Sequence, residues 1–306
     1  MTKTAFLFSG QGAQKLGMAR DLYDRYDIIK ATFVSAQAAL GYDLRALIDN
    51  DEEKLNETIY TQPAILTTSV AIMRLLAEQG ITPDLVAGLS LGEYSALVAA
   101  GALSFEEAVK LVAKRGQYMT EAAPTGSGKM VAVMNTDAKV IEEICQKASG
   151  LGVVSPANYN TPGQIVIGGE VAAVDQAVAL LKEAGVRKMI ELKVSGPFHT
   201  ALLKSASAKL AQELENVKFD NFKLPLISNT TAQVMVNEQI KPLLTRQVME
   251  PVRFYESIAT MQELGATRFI EVGPGKVLSG FIRKIDKTAD YMNVEDLASF
   301  EAMLKQ

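Results

Sequence analysis

Two rhythms of apolar residues alternate along this chain: short runs of four or five, and longer stretches with a 3.6-residue period. Residues 4–8 (TAFLF) are the first short run, stopped by Ser9-Gly10-Gln11-Gly12, and they predict a buried strand entering a glycine loop. Helical periodicity follows over 16–40, and a polar stretch then reaches 61. Pro63 suits a first helical turn, and the pattern continues over 64–79 to a stop at Gly80. Residues 85–87 predict a second strand, followed by a helix from about Ser90 to just before Gly101. Ser104 with Glu107 three residues on reads as a capping box, opening a helix to about 122.

After a loop at 123–128 the pattern changes. Strands at 130–134, 153–158, 164–167 and 188–192, with helices at 137–149 and 171–184, give the order βαββαβ of a ferredoxin-like unit. From 202 the first pattern resumes, with a helix at 202–214 and a strand at 224–228. Helices at 240–249 and 254–264 lead to a strand at 268–272 that ends in Gly273-Pro274-Gly275. A helix from about 276, a short strand near 291 and a helix at 294–304 close the chain. Alternating strands and helices on both sides of the insert predict one discontinuous α/β domain carrying a small inserted domain.

Composition removes several function classes. With one cysteine (Cys145) and one histidine (His199) among 306 residues, a disulfide framework and a multi-histidine or cysteine zinc site are excluded. A formal net charge of −4 argues against sequence-independent nucleic-acid binding, which needs clustered excess Lys and Arg. The longest apolar stretch, 85–105, carries Glu93 in its middle, so no membrane span is expected. The apolar part of the N-terminus (5–8) is too short for a signal peptide, and a cytoplasmic location is expected. Asn229-Thr230-Thr231 matches a glycosylation pattern, but nothing else points to secretion.

The strongest chemical signal is Gly88-Leu89-Ser90-Leu91-Gly92, a G-x-S-x-G set between a predicted strand and a predicted helix. In that context flanking glycines permit a tight turn that projects the serine hydroxyl over a helix N-terminus, the layout of a nucleophile elbow. The plainer reading of Ser90 is a helix cap among small neighbours. A nucleophilic serine needs a base, and His199 is the only histidine. It lies in Ser195-Gly196-Pro197-Phe198-His199-Thr200, where the chain re-enters the large domain; a lone histidine is more often a core or surface residue, and it is the pairing with a serine elbow that favours it as the base. What orients it is open at this level.

Arg115 falls on the apolar stripe Ala108-Leu111-Val112-Met119-Ala122 of the Ser104-capped helix. An inward guanidinium requires an anionic partner, either a core carboxylate or a substrate carboxylate held bidentately; the other reading is that it reaches the surface. Gln11, in the loop after the first strand, can meet Ser90 at the carboxyl end of the sheet and offer a backbone N–H to an oxyanion. Asn158 and Asn160 can supply neutral hydrogen bonds from an insert strand, or serve only as turn residues.

In sum these segments resemble the malonyl-CoA:acyl carrier protein transacylases. The resemblance rests on FSGQGAQ (8–14), TQPAIL (61–66), GLSLGEYSAL (88–97), KRGQYM (114–119), ANYNTPGQIVI (157–167), GPFHTALL (196–203) and EVGPGKVL (271–278), in order along the chain. It implies a hydrolase-like catalytic domain with a largely parallel sheet over 1–127 and 197–306, and a ferredoxin-like insert domain over 128–196. It further implies ping-pong acyl transfer without a cofactor or metal, from malonyl-CoA through a Ser90 acyl-enzyme to holo acyl carrier protein, with CoA released. His199 is then the base, and the N–H groups of Gln11 and Leu91 the oxyanion hole. Arg115 pairs with the malonyl carboxylate, with Gln62, Asn158 and Asn160 beside the substrate. In this family a backbone carbonyl orients the histidine, and Gln247 matches the residue that supplies it. The enzyme is expected to act as a monomer in fatty-acid synthesis. One departure stands out: the family usually has histidine before the nucleophile, where this chain has Leu89.

Other readings have distinct signatures. A serine esterase or thioesterase usually places its histidine near the C-terminus after an acidic triad member, whereas 107 residues follow His199 here. A stand-alone polyketide-type acyltransferase would share the chemistry. An inactive carrier-binding scaffold would have no need of Ser90, His199 and Arg115 together. Lys276, Arg283, Lys284 and Lys287 form a basic cluster suited to an acidic carrier protein, or simply a solvated helix face.

Overall fold

The computed structural model describes residues 3–305. Strands β1 (Lys3–Phe8), β2 (Leu85–Gly88), β7 (Ala266–Val272) and β8 (Asp290–Val294) form one sheet in the order β2-β1-β7-β8, every pair parallel. Within β1, Ala5 to Phe8 are apolar without interruption because both faces are covered there. Phe6 and Phe8 enter the main helix-packed core, while Ala5 and Leu7 enter a second core on the opposite face. The register aligns Phe8 with Gly88 on one side and with Val272 on the other. The loops that leave these three strands therefore emerge together at one edge of the sheet, where α/β folds gather ligands.

The other four strands are β3 (Lys129–Met134), β4 (Val154–Thr161), β5 (Gln164–Gly169) and β6 (Met189–Glu191). They form an antiparallel sheet in the order β4-β5-β3-β6, the ferredoxin-like arrangement expected from βαββαβ. Alternation along β3 explains how this sheet joins the rest. Val131 and Val133 pack with the helices Ala138–Ala148 and Val171–Glu183, while Met130 and Ala132 face the main core. β4 is also tied by backbone to the chain at Val252, which accepts from the Tyr159 N–H at 2.8 Å and donates to the Ala157 carbonyl at 2.9 Å.

Several boundaries differ from the pattern. The helix carrying Pro63 spans Thr58–Glu78, so the proline lies inside it rather than in its first turn. The polar stretch before it holds two short helices, Leu44–Asn50 and Glu52–Leu55, each capped by an aspartate, Asp43 and Asp51. The periodic stretch at 16–40 breaks at Tyr26, whose backbone is extended, into Arg20–Arg25 and Asp27–Leu40. The strand expected at 224–228 is reduced to a parallel bridge from Leu226 to Val86 and an antiparallel one from Ile227 to Val234, because the chain turns back at Asn229. Ser104 accepts from the Glu107 N–H at 3.3 Å, without the reciprocal half of the capping box. No helix among the described residues is long and apolar enough to cross a membrane.

Candidate active site

The turn after β2 is forced by its glycines. A Cβ on Gly92 would lie 2.0 Å from the carbonyl oxygen of Phe8, and one on Gly88 would lie 2.0 Å from the Gly92 backbone carbon. Only glycine lets the turn close this tightly against β1. Ser90, between them, is held at φ +55°, a left-handed conformation that a serine sustains at a cost of about 1–3 kcal/mol when surrounding bonds over-determine it. Asn229 supplies those bonds: its Oδ1 accepts from the Ser90 N–H at 2.6 Å, and its Nδ2 donates to the Gly88 carbonyl at 2.6 Å. The helix Gly92–Ala99 begins directly below.

His199, from 109 residues away, meets this serine, its Nε2 lying 2.7 Å from Ser90 Oγ. It too has a positive φ, +59°. Its Nδ1 lies 2.8 Å from the Gln247 carbonyl and 3.2 Å from the Glu250 carbonyl, at the end of the helix Ile240–Gln247. Carbonyl oxygens only accept, so Nδ1 carries the proton and Nε2 presents its lone pair to the serine. Burial, with a contribution from the Arg115 charge, holds the imidazole down to about 4, so it stays neutral across the physiological range.

Arg115 approaches the same hydroxyl from within the fold. The helix Phe105–Ala122 packs closely on the start of Thr58–Glu78 because Gly116 has no side chain; a Cβ there would lie 2.7 Å from the Thr58 carbonyl oxygen. That close approach brings Arg115 Nη1 to 2.9 Å from Gln62 Oε1, and Nη2 to 3.0 Å from Gln247 Oε1 and 3.2 Å from Ser90 Oγ. The guanidinium lies 5.3 Å over the Tyr94 ring. Arg115 is 1% exposed, its three hydrogen-bond partners are neutral, and its Nε has none. A guanidinium held this way is short of an anion.

A cavity of about 340 Å³ opens beside the pair, lined by Gln11, Leu89, Ser90, Asn158, Asn160 and His199 among others. Gln11 and both asparagines therefore reach the cavity as the sequence suggested, and the Asn160 Oδ1 is buried without a partner. The Gln11 side chain donates to Thr58 Oγ1 at 3.0 Å, which fixes the loop. Leu91, the next residue of the turn, is fully buried in the main core. Gln62 is also fully buried and lies behind Arg115, away from the cavity wall. Leu89 adds an apolar side chain to that wall.

Two polar residues of this centre escaped the sequence reading. Asn229 appeared there only as part of a glycosylation triplet. Glu93 appeared only as a charge interrupting an apolar run, which was itself a signal, since a carboxylate in such a run needs donors around it. Glu93 is 1% exposed; it accepts from the Asn229 N–H at 3.1 Å and, through its other oxygen, from Gln247 Nε2.

The acyl transferase domain family model matches residues 5–300. A Bacillus subtilis protein named malonyl CoA-acyl carrier protein transacylase is 46% identical over 308 aligned positions, covering 100% of this chain and 97% of its own. Among solved structures, the MCAT from Streptococcus pneumoniae is 69% identical with a TM-score of 0.98, covering 99% of each chain. A type II PKS acyl-carrier protein in complex with its malonyl-transacylase provides another match, at 42% identity and a TM-score of 0.96, covering 99% of both chains.

Proposed function

The chain belongs to the acyl transferase domain family, and from that premise we propose that it moves a malonyl group from malonyl-CoA to the phosphopantetheine thiol of holo acyl carrier protein. Ser90 Oγ attacks the thioester carbonyl while His199 Nε2 takes its proton. The tetrahedral oxyanion is held by the N–H groups of Gln11 and Leu91. When it collapses, the carbon–sulfur bond breaks and CoA leaves as the thiol with the proton from His199. The same steps in reverse pass the acyl group to the carrier thiol.

Arg115 selects the acyl group. Once Ser90 Oγ becomes an ester oxygen, the Nη2 contact and the unpartnered Nε are free for the malonyl carboxylate, with Gln62 and Gln247 steadying the guanidinium from behind. Asn158 and Asn160 line the approach. The catalytic part comprises 1–127 and 197–306 and the insert 128–196, acting as a cytoplasmic monomer that supplies extension units for fatty-acid synthesis. Exposed Lys276, Arg283, Lys284 and Lys287 serve the acidic carrier.

The observation that carries this reading is one oxygen, Ser90 Oγ, contacted by a neutral imidazole at 2.7 Å and by a buried guanidinium at 3.2 Å. A simple ester hydrolase has use for the first and none for the second. Intact-protein mass after mixing with malonyl-CoA tests it. A malonyl adduct is expected on the native chain and not on Ser90→Ala, discharged by holo acyl carrier protein. Rapid CoA release with no adduct and no carrier dependence would instead identify a thioesterase.

A further inference from the structure

Beneath the reacting atoms lies a carboxylate that the transfer steps do not use. Glu93 follows the nucleophile Ser90 by three residues, and it meets two N–H donors, the Asn229 backbone and the Gln247 carboxamide, together with the Ser228 hydroxyl. Gln247 is in turn committed on all sides. Its Nε2 also donates to the Ser90 carbonyl at 2.9 Å, and its Oε1 accepts from Arg115 Nη2 at 3.0 Å. An amide can face either way in a pocket of this shape, and only one way presents oxygen to a guanidinium.

We propose that Glu93 is the positioning residue for malonyl selectivity: as a pure acceptor it fixes the amide polarity of Gln247, and Gln247 thereby fixes Arg115 against Ser90. The proposal rests on the malonyl-transfer reading and deepens it. Two obligate N–H donors converge on the carboxylate, one at each oxygen, so no neutral isostere can serve. A glutamine at 93 has one oxygen and one NH2, and whichever way it turns, its NH2 meets a donor. The clash is relieved only by rotating Gln247, which gives up its bond to the Ser90 carbonyl, brings an NH2 against Arg115 and displaces the guanidinium. A proton on Glu93 does the same, since the acid form also has only one free acceptor oxygen.

The surroundings make that proton relevant near neutrality. Burial pushes the Glu93 carboxyl up to about 7, against the lowering effects of the Asn229 N–H, Gln247, Arg115 and Ser228. The other titratable groups packed around it change little over the same range. His199 is held down to about 4, Tyr94 is pushed up to about 12, and Arg115, although lowered by burial, is a guanidinium. Glu93 is the group in this cluster whose charge changes between pH 6 and 8.

Single-turnover loading of Ser90 by malonyl-CoA and by acetyl-CoA, followed by intact mass on the full chain, separates the possibilities. For Glu93→Gln, the malonyl-to-acetyl ratio of loading kcat/KM should fall at least about tenfold, because the acetyl group makes no use of Arg115. A folded variant whose two loading rates fall together, or do not fall, would overturn the proposal and assign Glu93 to the fold alone. The wild-type ratio measured from pH 5.5 to 8.5 gives a second test that needs no variant. It should rise through about pH 7 and level off; a flat ratio would overturn the proposal. Failure of the wild type to form any malonyl adduct would count against the transfer reading itself, and so is distinguishable from either result.

Discussion

Replacing Arg115 by methionine separates its chemistry from its place in the fold. The side chain is 1% exposed and hydrogen-bonded only to neutral groups, with Glu93 attracting it from beyond contact, so the native protein holds a buried cation without a contacting ion-pair partner, at an effective cost of several kcal/mol. Methionine of similar length removes that charge but strands Gln62 Oε1 and Gln247 Oε1, at about 1–3 kcal/mol each. The two effects oppose, and stability should stay within about 2 kcal/mol of wild type by denaturant unfolding. Function should not be spared. A charge-assisted hydrogen bond contributes about 1.5–3 kcal/mol, and Nη2 together with the free Nε offers a malonyl carboxylate one or two. At 1.4 kcal/mol per decade, malonyl loading kcat/KM should fall about 100-fold. Acetyl loading should fall far less, so the ratio of the two inverts toward acetyl. An unchanged ratio accompanied by a large loss of stability would show that the guanidinium is a structural element and refute the clamp.

Three further outcomes follow from other parts of the molecule. Gly92→Ala should abolish the malonyl adduct and destabilise by about 3 kcal/mol, since its Cβ would lie 2.0 Å from the Phe8 carbonyl oxygen, a backbone atom that cannot swing away; normal loading with an unchanged unfolding midpoint would contradict the elbow packing. His199 is held at about 4 in the folded chain against an ordinary 6.5, so between those values the unfolded state binds more protons and stability is lost as pH falls from about 6.5 toward 4. Denaturation of His199→Gln across that window should therefore show a shallower acid loss than wild type; parallel curves would refute the assignment. Finally, reversing Arg283 and Lys284 to Glu should raise the KM for acyl carrier protein several-fold at low salt and leave that for malonyl-CoA unchanged, whereas identical kinetics would remove this face from carrier docking.

Much of this protein was legible in its order of residues. A run such as AFLF needs cover on both faces, and the shift from that rhythm to βαββαβ and back marks the insert, so the strands and the ferredoxin-like order could be read directly. Gly88-Leu89-Ser90-Leu91-Gly92 was legible for the same reason: an elbow is a local object, made by neighbours in the chain. Arg115 declared itself as a charge on an apolar stripe. Helix starts were less well read, because Pro63 inside Thr58–Glu78 is tolerated only through packing against other helices.

What the tertiary structure alone decided is how these residues meet. Ser90 and His199 are 109 residues apart, Ser90 and Asn229 are 139 apart, and Glu93 and Gln247 are 154 apart. Periodicity reports which side of an element is buried, yet it carries no information about which buried polar groups will face one another across the core. Hydrogen bonding in a dry interior then makes those pairings strict, since every donor must find an acceptor. The direction of the Gln247 amide, and with it the place of Arg115, is set where the Ser90 carbonyl and Glu93 both accept from its NH2.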